Sequence, residues 1–387
     1  VVMRDNLEEM NTRSVAEKYP VLLGGAALTR SYVEDDLRAT YDGDVFYCKD
    51  AFEGLRVLDA VMEARKTGQA LPEELAGHKA KRAPMKRPDA GSAPRADARG
   101  RPKSDVATDV DLPQPAFWGQ RVVRGISIDD VWPLINEVAL FRNQWGFTPG
   151  DRSGDRYQAF LDEHARPVLR EWIERAKRDQ ILTPEVVYGY YPANADGDDL
   201  IVWDPEDAGW SGQVGDPLPS KELVRFSFPR QTRGRFLNIA DFFRDVDSGE
   251  TDVLAMHCVT MGRRISEVSQ RLFEADEYQS YLFAHGFGVE MAEALAELWH
   301  KRIREELGIA DQDGPDKEAW FRQGYRGSRY SFGYAACPDL EDQAKLFELI
   351  DPRQIDVELT DEYMLHPEQS TSAIIVHHPQ AKYFNAR

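Results

Sequence analysis

The alternation of apolar and polar positions divides the first seventy residues into short, regular pieces. Asn6 to Lys18 has helical spacing, with Leu7, Met10 and Val15 among its apolar positions and charges between them. Pro20 breaks the pattern, and Val21-Leu22-Leu23 reads as a short buried strand, with Gly24-Gly25-Ala26 at its C-terminal end. Ser31–Thr40 reads as the next helix, and Gly43 turns the chain into a second strand, Val45–Tyr47. Lys49 or Asp50 leads into a closing helix, Ala51–Ala64, with Leu55, Leu58, Val61 and Met62 on its apolar face. Helix–strand–helix–strand–helix is the second half of a doubly wound parallel sheet, in which ligands lie at the carboxyl ends of strands. Gly24 and Gly25 stand at such an end, where two missing Cβ atoms admit either a ligand or a tight strand-to-helix turn.

Patterning resumes after residue 112. Ile128–Phe141 reads as a helix with Asp129-Asp130 in its first turn, where the helix dipole favours them. Its core face is Val131, Leu134, Ile135 and Val138, and Glu137 falls in its second half. Tyr157–Ala176 reads as one long helix. Val186–Tyr191, a turn at Gly197-Asp198-Asp199 and Leu200–Trp203 read as a hairpin, with the two aspartates as turn formers. Leu254–Met261 is an apolar strand, Glu277–Leu307 carries two helices, and Ile374-Ile375-Val376 is a last strand. Glu293, Glu297, His300 and Arg304 share one helix face, as a mutually paired polar face or, on carboxylate and histidine spacing, a metal site. His377 and His378 are adjacent on an extended segment and point to opposite faces, which argues against a shared metal.

Composition sets the outer limits. A chain of 387 residues, 42% hydrophobic, holds two or three folded domains. A net charge of −19 disfavours nucleic acid as a partner and suits solubility or a cationic small ligand. Cys48, Cys258 and Cys337 are far apart, which fits a reducing cytoplasm rather than a disulfide framework. No apolar run is long enough to span a bilayer and no signal peptide is visible. The chain begins with Val1 in what reads as mid-domain, and a piece of a longer protein is expected. Lys79 to Asp105 carries nine Lys/Arg against three Asp among Pro, Gly and Ala. It is read as the heart of a flexible basic linker spanning 71–112, between domains at 1–70 and 113–387. The linker is either a solvated spacer or an arm for an acidic partner.

Arg322–Pro338, RQGYRGSRYSFGYAACP, interrupts helical patterning with Gly324, Gly327 and Gly333 and carries Arg322, Arg326 and Arg329. It reads as a shaped loop. Arg329 precedes Gly333-Tyr334 by a spacing that lets a guanidinium fork take a carboxylate while a side-chain-free position admits the ligand to the main chain. Tyr334 can cover an apolar or cationic part. A Gly-rich surface turn would carry the same letters.

The motif Arg329-x-x-x-Gly333-Tyr334 with Ala336-Cys337-Pro338 resembles the S-adenosylmethionine-binding loop in the activation domain of cobalamin-dependent methionine synthases. In the same order, Tyr191-Pro192-Ala193-Asn194 with Gly197-Asp198-Asp199, Leu237–Phe243, Ala292–His300 and His378–Phe384 resemble further segments of that domain, and Pro113–Gly119 resembles its opening segment. Leu22–Ala26 and Tyr47-x-x-Asp50-Ala51 resemble the last two strand ends of the family's cobalamin-binding module. The resemblance implies S-adenosylmethionine contacts at Arg329 (carboxylate), Glu137 (ammonium, where the family usually has Asp), Glu293, Gly333, Tyr334, Tyr383 and Phe384. It implies cobalamin contacts at Gly24, Gly25, Ala26, Asp50 and Ala51. The module's D-x-H-x-x-G, whose histidine ligates cobalt, is absent, so this piece is expected to bind cobalamin poorly alone. Leu340 stands where some members have histidine.

The implied architecture is a partial α/β doubly wound parallel sheet followed by an α+β domain with a mainly antiparallel sheet flanked by helices. The implied function is reductive reactivation. The full enzyme moves a methyl group from 5-methyltetrahydrofolate to homocysteine through methylcobalamin. The activation domain supplies S-adenosylmethionine as methyl donor when the cobalt has oxidised, with a flavodoxin-like or other electron donor. The homocysteine, folate and cobalamin-cap modules, and the zinc they need, lie upstream in the family. The other reading is a stand-alone S-adenosylmethionine-binding regulator without turnover.

Overall fold

The computed structural model describes residues 2–16, 18–24, 30, 32–48, 51–67, 95–96 and 102–386. The chain divides into two units, Val1–Asp89 and Ala90–Arg387.

The first unit follows the expected order. Helix α1 (Val2–Thr12) precedes strand β1 (Val21–Leu23), and a π-helical segment, Tyr32–Leu37, runs into helix α2 (Arg38–Thr40). Strand β2 (Val45–Tyr47) and helix α3 (Ala51–Thr67) follow. β1 and β2 pair in parallel, Val21 against Val45 and Leu23 against Tyr47. Leu7, Val33, Leu37, Tyr41 and Val45 form one small core, and Phe46, Cys48, Val57 and Val61 another. Arg38 fixes the second connection by donating twice to the Val45 carbonyl, at 3.1 and 2.8 Å.

The second unit begins with a two-residue ladder, β3 (Arg95–Ala96) with β4 (Pro102–Lys103). Its centre is a seven-stranded sheet built from β5 (Gly119–Val123), β6 (Glu185–Asp196), β7 (Asp199–Trp203), β8 (Glu222–Ser227), β9 (Asp252–Thr260), β10 (Ser328–Tyr330) and, after a β11–β12 hairpin (Glu358–Leu359, Leu365–His366), β13 (Ser370–Val376). The spatial order is β10-β13-β9-β6-β7-β8, with β5 also on β6, and every pairing is antiparallel. β6 and β9 are buried along nearly their whole length because both faces of the sheet are covered. One face packs on α4 (Ile128–Val131), α5 (Asp155–His164), α6 (Arg166–Asp179), α7 (Arg263–Glu274) and the 29-residue α8 (Tyr278–Glu306). After a short α9 (Lys317–Phe321), the opposite face is covered by α10 (Asp342–Ile350), the Ile239–Phe242 turn and the C-terminal segment.

Several sequence expectations change. The helix expected over Ile128–Phe141 is three pieces: α4, a 3-10 turn at Trp132–Leu134 and a π-helix at Ala139–Gln144. Pro133 cannot continue the α4 hydrogen bonding. The side chain of Asn136 then accepts from the amides of Val138 and Ala139, which starts the next turn. The helix expected over Tyr157–Ala176 breaks at Ala165 because Pro167 opens α6. Conversely, the two helices expected over Glu277–Leu307 are one, α8: Gly286 lies against Gln144 and Trp145, and Gly288 against Ile265 and Gln369, so these glycines serve packing rather than a break. The loop read at Arg322–Pro338 contains edge strand β10.

Residues 104–112, assigned by composition to the tether, are held on the second unit. Val106 joins the core, and the Ala107 amide donates to Gln380 at 2.8 Å. The carbonyls of Thr108 and Val110 accept from Arg244. The basic composition of the preceding stretch hides this because the anchors are backbone groups and one valine. The rest of the expected linker, at 71–94 and 97–101, lies outside the described residues.

Candidate ligand site at the sheet edge

Strand β10 carries Arg329 opposite Ile375, and the row continues through Ala255 to Tyr190. Those residues belong to the face of the sheet that α8 covers. Arg329 therefore points from an edge strand toward the helix, and α8 answers with two carboxylates one turn apart. Its Nη2 donates to Glu293 Oε2 at 3.2 Å, and Nη1 lies 3.8 Å from Glu297 Oε2. The Arg329 side chain is 20% exposed and Glu297 8%, whereas Glu293 is 46% exposed, so the pairing grades from the interior to solvent. Burial opposes the arginine's charge, but Glu293 and Glu297 outweigh it and hold its pKa above the ordinary value.

The segment after β10 shapes the rim. Gly333 has φ +85°, a left-handed conformation that a side chain would strain. Its amide donates to the Cys337 carbonyl at 2.8 Å while the Cys337 amide donates to the Tyr334 carbonyl at 2.9 Å, closing a tight turn. That turn presents Tyr334, which is 44% exposed. Partial burial raises the pKa of its hydroxyl, and Glu293 and Tyr383 add to the shift. Tyr383 is equally exposed, and its amide donates to Gln323 Oε1 at 2.9 Å. Tyr330 Oη donates to the Lys382 carbonyl, and the Lys382 ammonium donates to the carbonyls of Gln323 and Tyr325, which ties the C-terminal segment to this loop.

Of the three arginines in the stretch, Arg329 alone faces carboxylates. Arg326 donates to the carbonyls of His377 and Asp111, and Arg322 is exposed. Arg329, Glu293, Gly333, Tyr334 and Tyr383 thus gather at one edge. Phe384 is buried in the core cluster with Tyr330 and Phe242. Glu137, beside the π-helix, is held by Arg166 at 3.2 and 2.9 Å and stays half-buried.

The mutual pairing expected along the α8 face does not occur. Glu293 and Glu297 turn to Arg329, Arg304 forms a bidentate pair with Asp313, and neither ring nitrogen of His300 has a partner. No cluster of three metal-ligating side chains occurs among the described residues. His377 meets Asp252 at 2.7 Å and His378 meets the Ala107 carbonyl at 3.0 Å, in separate surroundings. Asp198 and Asp199 pair with Arg230 and Arg225 around the β6–β7 turn.

Sequence reasoning passed over Glu290, one turn before Glu293 on the same helix face. It is buried, and burial first, then Glu293, pushes its pKa up to about 7 against a lowering hydrogen bond from Gln144. The spacing Glu290–Glu293–Glu297 was available as a signal. His257 on β9 was also missed, since a single histidine in an apolar strand gives no signal without sheet register.

In the first unit, Gly24 ends β1, and a Cβ there would collide with the Cys48 carbonyl at the end of β2. Close approach of two strand ends accounts for this glycine. Ala51 opens α3. Gly25, Ala26 and Asp50 lie outside the described residues.

A carboxylate-flanked arginine on the edge of an antiparallel sheet, under a helix and beside two exposed tyrosines, defines an α+β module with an open, charged edge. Residues 151–387 match the family described as vitamin B12 dependent methionine synthase, activation domain, and the chain belongs to that family. It is 48% identical to methionine synthase of Mycobacterium tuberculosis (strain H37Rv) over an alignment spanning 410 positions, and 46% identical to that of Mycobacterium leprae over 417. All of this chain is covered in both, but it spans only 33% of each relative's length. A crystal structure of the MetH reactivation domain bound to AdoHcy has the same fold, with TM-score 0.65, 22% identity, and coverage of 76% of this chain and 90% of that one.

Proposed function

We propose that this chain binds S-adenosylmethionine at the β10–α8 edge and serves as the reactivation portion of a cytoplasmic, cobalamin-dependent methionine synthase. The observation that carries the reading is Arg329: a cation on an edge strand, with Glu293 and Glu297 beside it and Tyr334 and Tyr383 exposed next to it. Arg329 takes the ligand carboxylate in a charge-assisted pair. The backbone at Gly333 lets the ligand approach the Tyr334 turn. Glu293 and the two tyrosine rings suit a sulfonium. Glu137, oriented by Arg166, is the carboxylate assigned to the ligand ammonium. Phe384 acts by packing behind Tyr330 rather than by contact.

In the whole protein the chain's task is to hold and orient the methyl donor. Cobalamin, when bound, supplies the methyl-accepting chemistry. Of the cobalamin contacts that the resemblance implies, Gly25, Ala26 and Asp50 lie outside the described residues, and the sequence carries no D-x-H-x-x-G. The homocysteine, folate and cobalamin-cap modules, with their zinc, belong to the remaining two thirds of such a polypeptide, and a flavodoxin-like protein is the proposed class of electron donor. No helix among the described residues is long and apolar enough to cross a membrane.

Calorimetric titration with S-adenosylmethionine tests the reading. Saturable binding is expected, weakened about 30- to 150-fold in Arg329→Ala, the loss of a charge-assisted bidentate pair. Glu137→Gln in the same titration weakens binding if that carboxylate takes the ammonium. Absence of binding by the folded wild type rejects the proposal.

A further inference from the structure

Behind Arg329 the helix-facing side of the sheet is polar where an apolar layer is the rule. The row of residues next to Arg329–Ile375–Ala255–Tyr190 is Ala373–His257–Tyr188. His257 therefore shares a face with Arg329, and α8 lays Glu297 and His300 over that face. Both histidines are fully buried. Neither ring nitrogen of His257 has a hydrogen-bond partner, nor has either of His300, nor Glu297 Oε1, nor Arg329 Nη1. These six atoms come from four residues on facing elements. Burial, then the Arg329 charge, keeps His257 neutral; burial, then Arg304 and Arg329, does the same for His300, whose ring Tyr325 meets edge-on at 4.9 Å.

The chemistry of the set is complementary. A neutral imidazole offers one donor and one acceptor, a guanidinium nitrogen only donates and a carboxylate oxygen only accepts. A water molecule in a buried site makes about three hydrogen bonds to such groups. Polar atoms buried without hydrogen bonds are rare in folded proteins, and six such atoms on one face call for a shared partner.

We propose that His257, His300, Glu297 and Arg329 enclose ordered water, and that the two histidines act through it as positioning residues for the Arg329 guanidinium. The water fixes Nη1 from behind and leaves the outer edge of the fork for a ligand carboxylate. His257 and His300 then set the angle at which the arginine presents itself, without touching the ligand. The effect on affinity rests on the S-adenosylmethionine reading; the hydration does not.

The test uses the full chain with its histidines isotopically labelled. Eight histidines make the ring signals assignable through His257→Phe and His300→Phe. Water-selective NOEs to the ring protons of His257 and His300 are expected in the ligand-free protein. In the titration, His300→Phe is expected to weaken S-adenosylmethionine binding about tenfold, and His300→Asn, which still hydrogen-bonds to water, to restore most of it. Absence of water contacts at both rings of the folded wild type overturns the proposal. Water contacts with unchanged affinity in a folded His300→Phe overturn the positioning role. A wild type that shows the water but binds no S-adenosylmethionine sinks the ligand reading and upholds the hydration.

Discussion

Glu290 shows how one buried side chain couples this site to pH. Its carboxyl titrates near 7 in the folded protein against 4.5 when unperturbed, first because burial disfavours the anion and then because Glu293 lies nearby. Between those values the unfolded chain has lost this proton while the folded chain keeps it. Stability therefore falls as pH rises from 4.5 to about 7 and then levels off. The shift corresponds to a contribution on the order of 3 kcal/mol. Glu290→Gln, which cannot ionise, is expected to match the wild type near pH 4.5 and to be the more stable protein at pH 8 by roughly that amount, less any loss at Gln144. Denaturant unfolding of both proteins across this range checks it, and parallel curves would show that Glu290 is not the titrating group. Above pH 7 the ionised Glu290 also adds negative charge beside Glu293, which favours a cationic ligand.

At the scale of elements, α8 organises the site, and its C-terminal end is pinned from within. Arg304 is fully buried, donates to Asp313 at 2.8, 3.1 and 2.8 Å, and lies 4.2 Å from the Tyr325 ring centre. Removing the arginine strands a buried carboxylate, which costs about 3–5 kcal/mol, whereas replacing both partners by apolar groups is often near neutral. Arg304→Met is thus expected to be strongly destabilising, and Arg304→Met with Asp313→Leu to recover most of the loss. A single variant as stable as the wild type would show that the pair holds nothing. The helix itself illustrates what periodicity conveys. Its polar face was legible from Glu293, Glu297, His300 and Arg304, but their partners were not, because Arg329 and Asp313 reach that face only through the sheet and the following loop. Likewise Val21–Leu23 and Val45–Tyr47 were legible as strands, and their parallel pairing followed from the helix between them. Arg329 was legible as a site residue from its motif, but not as a strand residue: three residues flanked by Gly327 and Gly333 carry too little pattern to reveal a ladder with β13. The breaks at Pro133 and Pro167 were available in the sequence, and the apolar spacing on either side of each obscured them.

For the whole molecule, the informative boundary is the start of the second unit. A cut at residue 113, where composition places the end of the tether, removes a strap that the fold uses. Val106 leaves the core. His378 loses the Ala107 carbonyl, and Gln380 loses the Ala107 amide. Arg244 loses the carbonyls of Thr108 and Val110, and Arg326 loses that of Asp111. His378 is 2% exposed with the strap in place. The buried His378 left unpaired costs about 1–3 kcal/mol, and lost burial of a valine adds about 1.5 kcal/mol. A fragment of residues 102–387 is therefore expected to unfold at the temperature of the corresponding transition in the full chain and to bind S-adenosylmethionine with the same affinity. A fragment of residues 113–387 is expected to be less stable by about 2–5 kcal/mol, a shift of several degrees or more. Its affinity should fall too if the loosened Arg326 no longer ties the loop that carries Arg329. Differential scanning calorimetry of the two fragments beside the full chain decides this. Equal transition temperatures would mean that residues 104–112 lie on the domain without supporting it, and a large stabilisation of the 102–387 fragment by the first unit would mean that the second does not stand by itself.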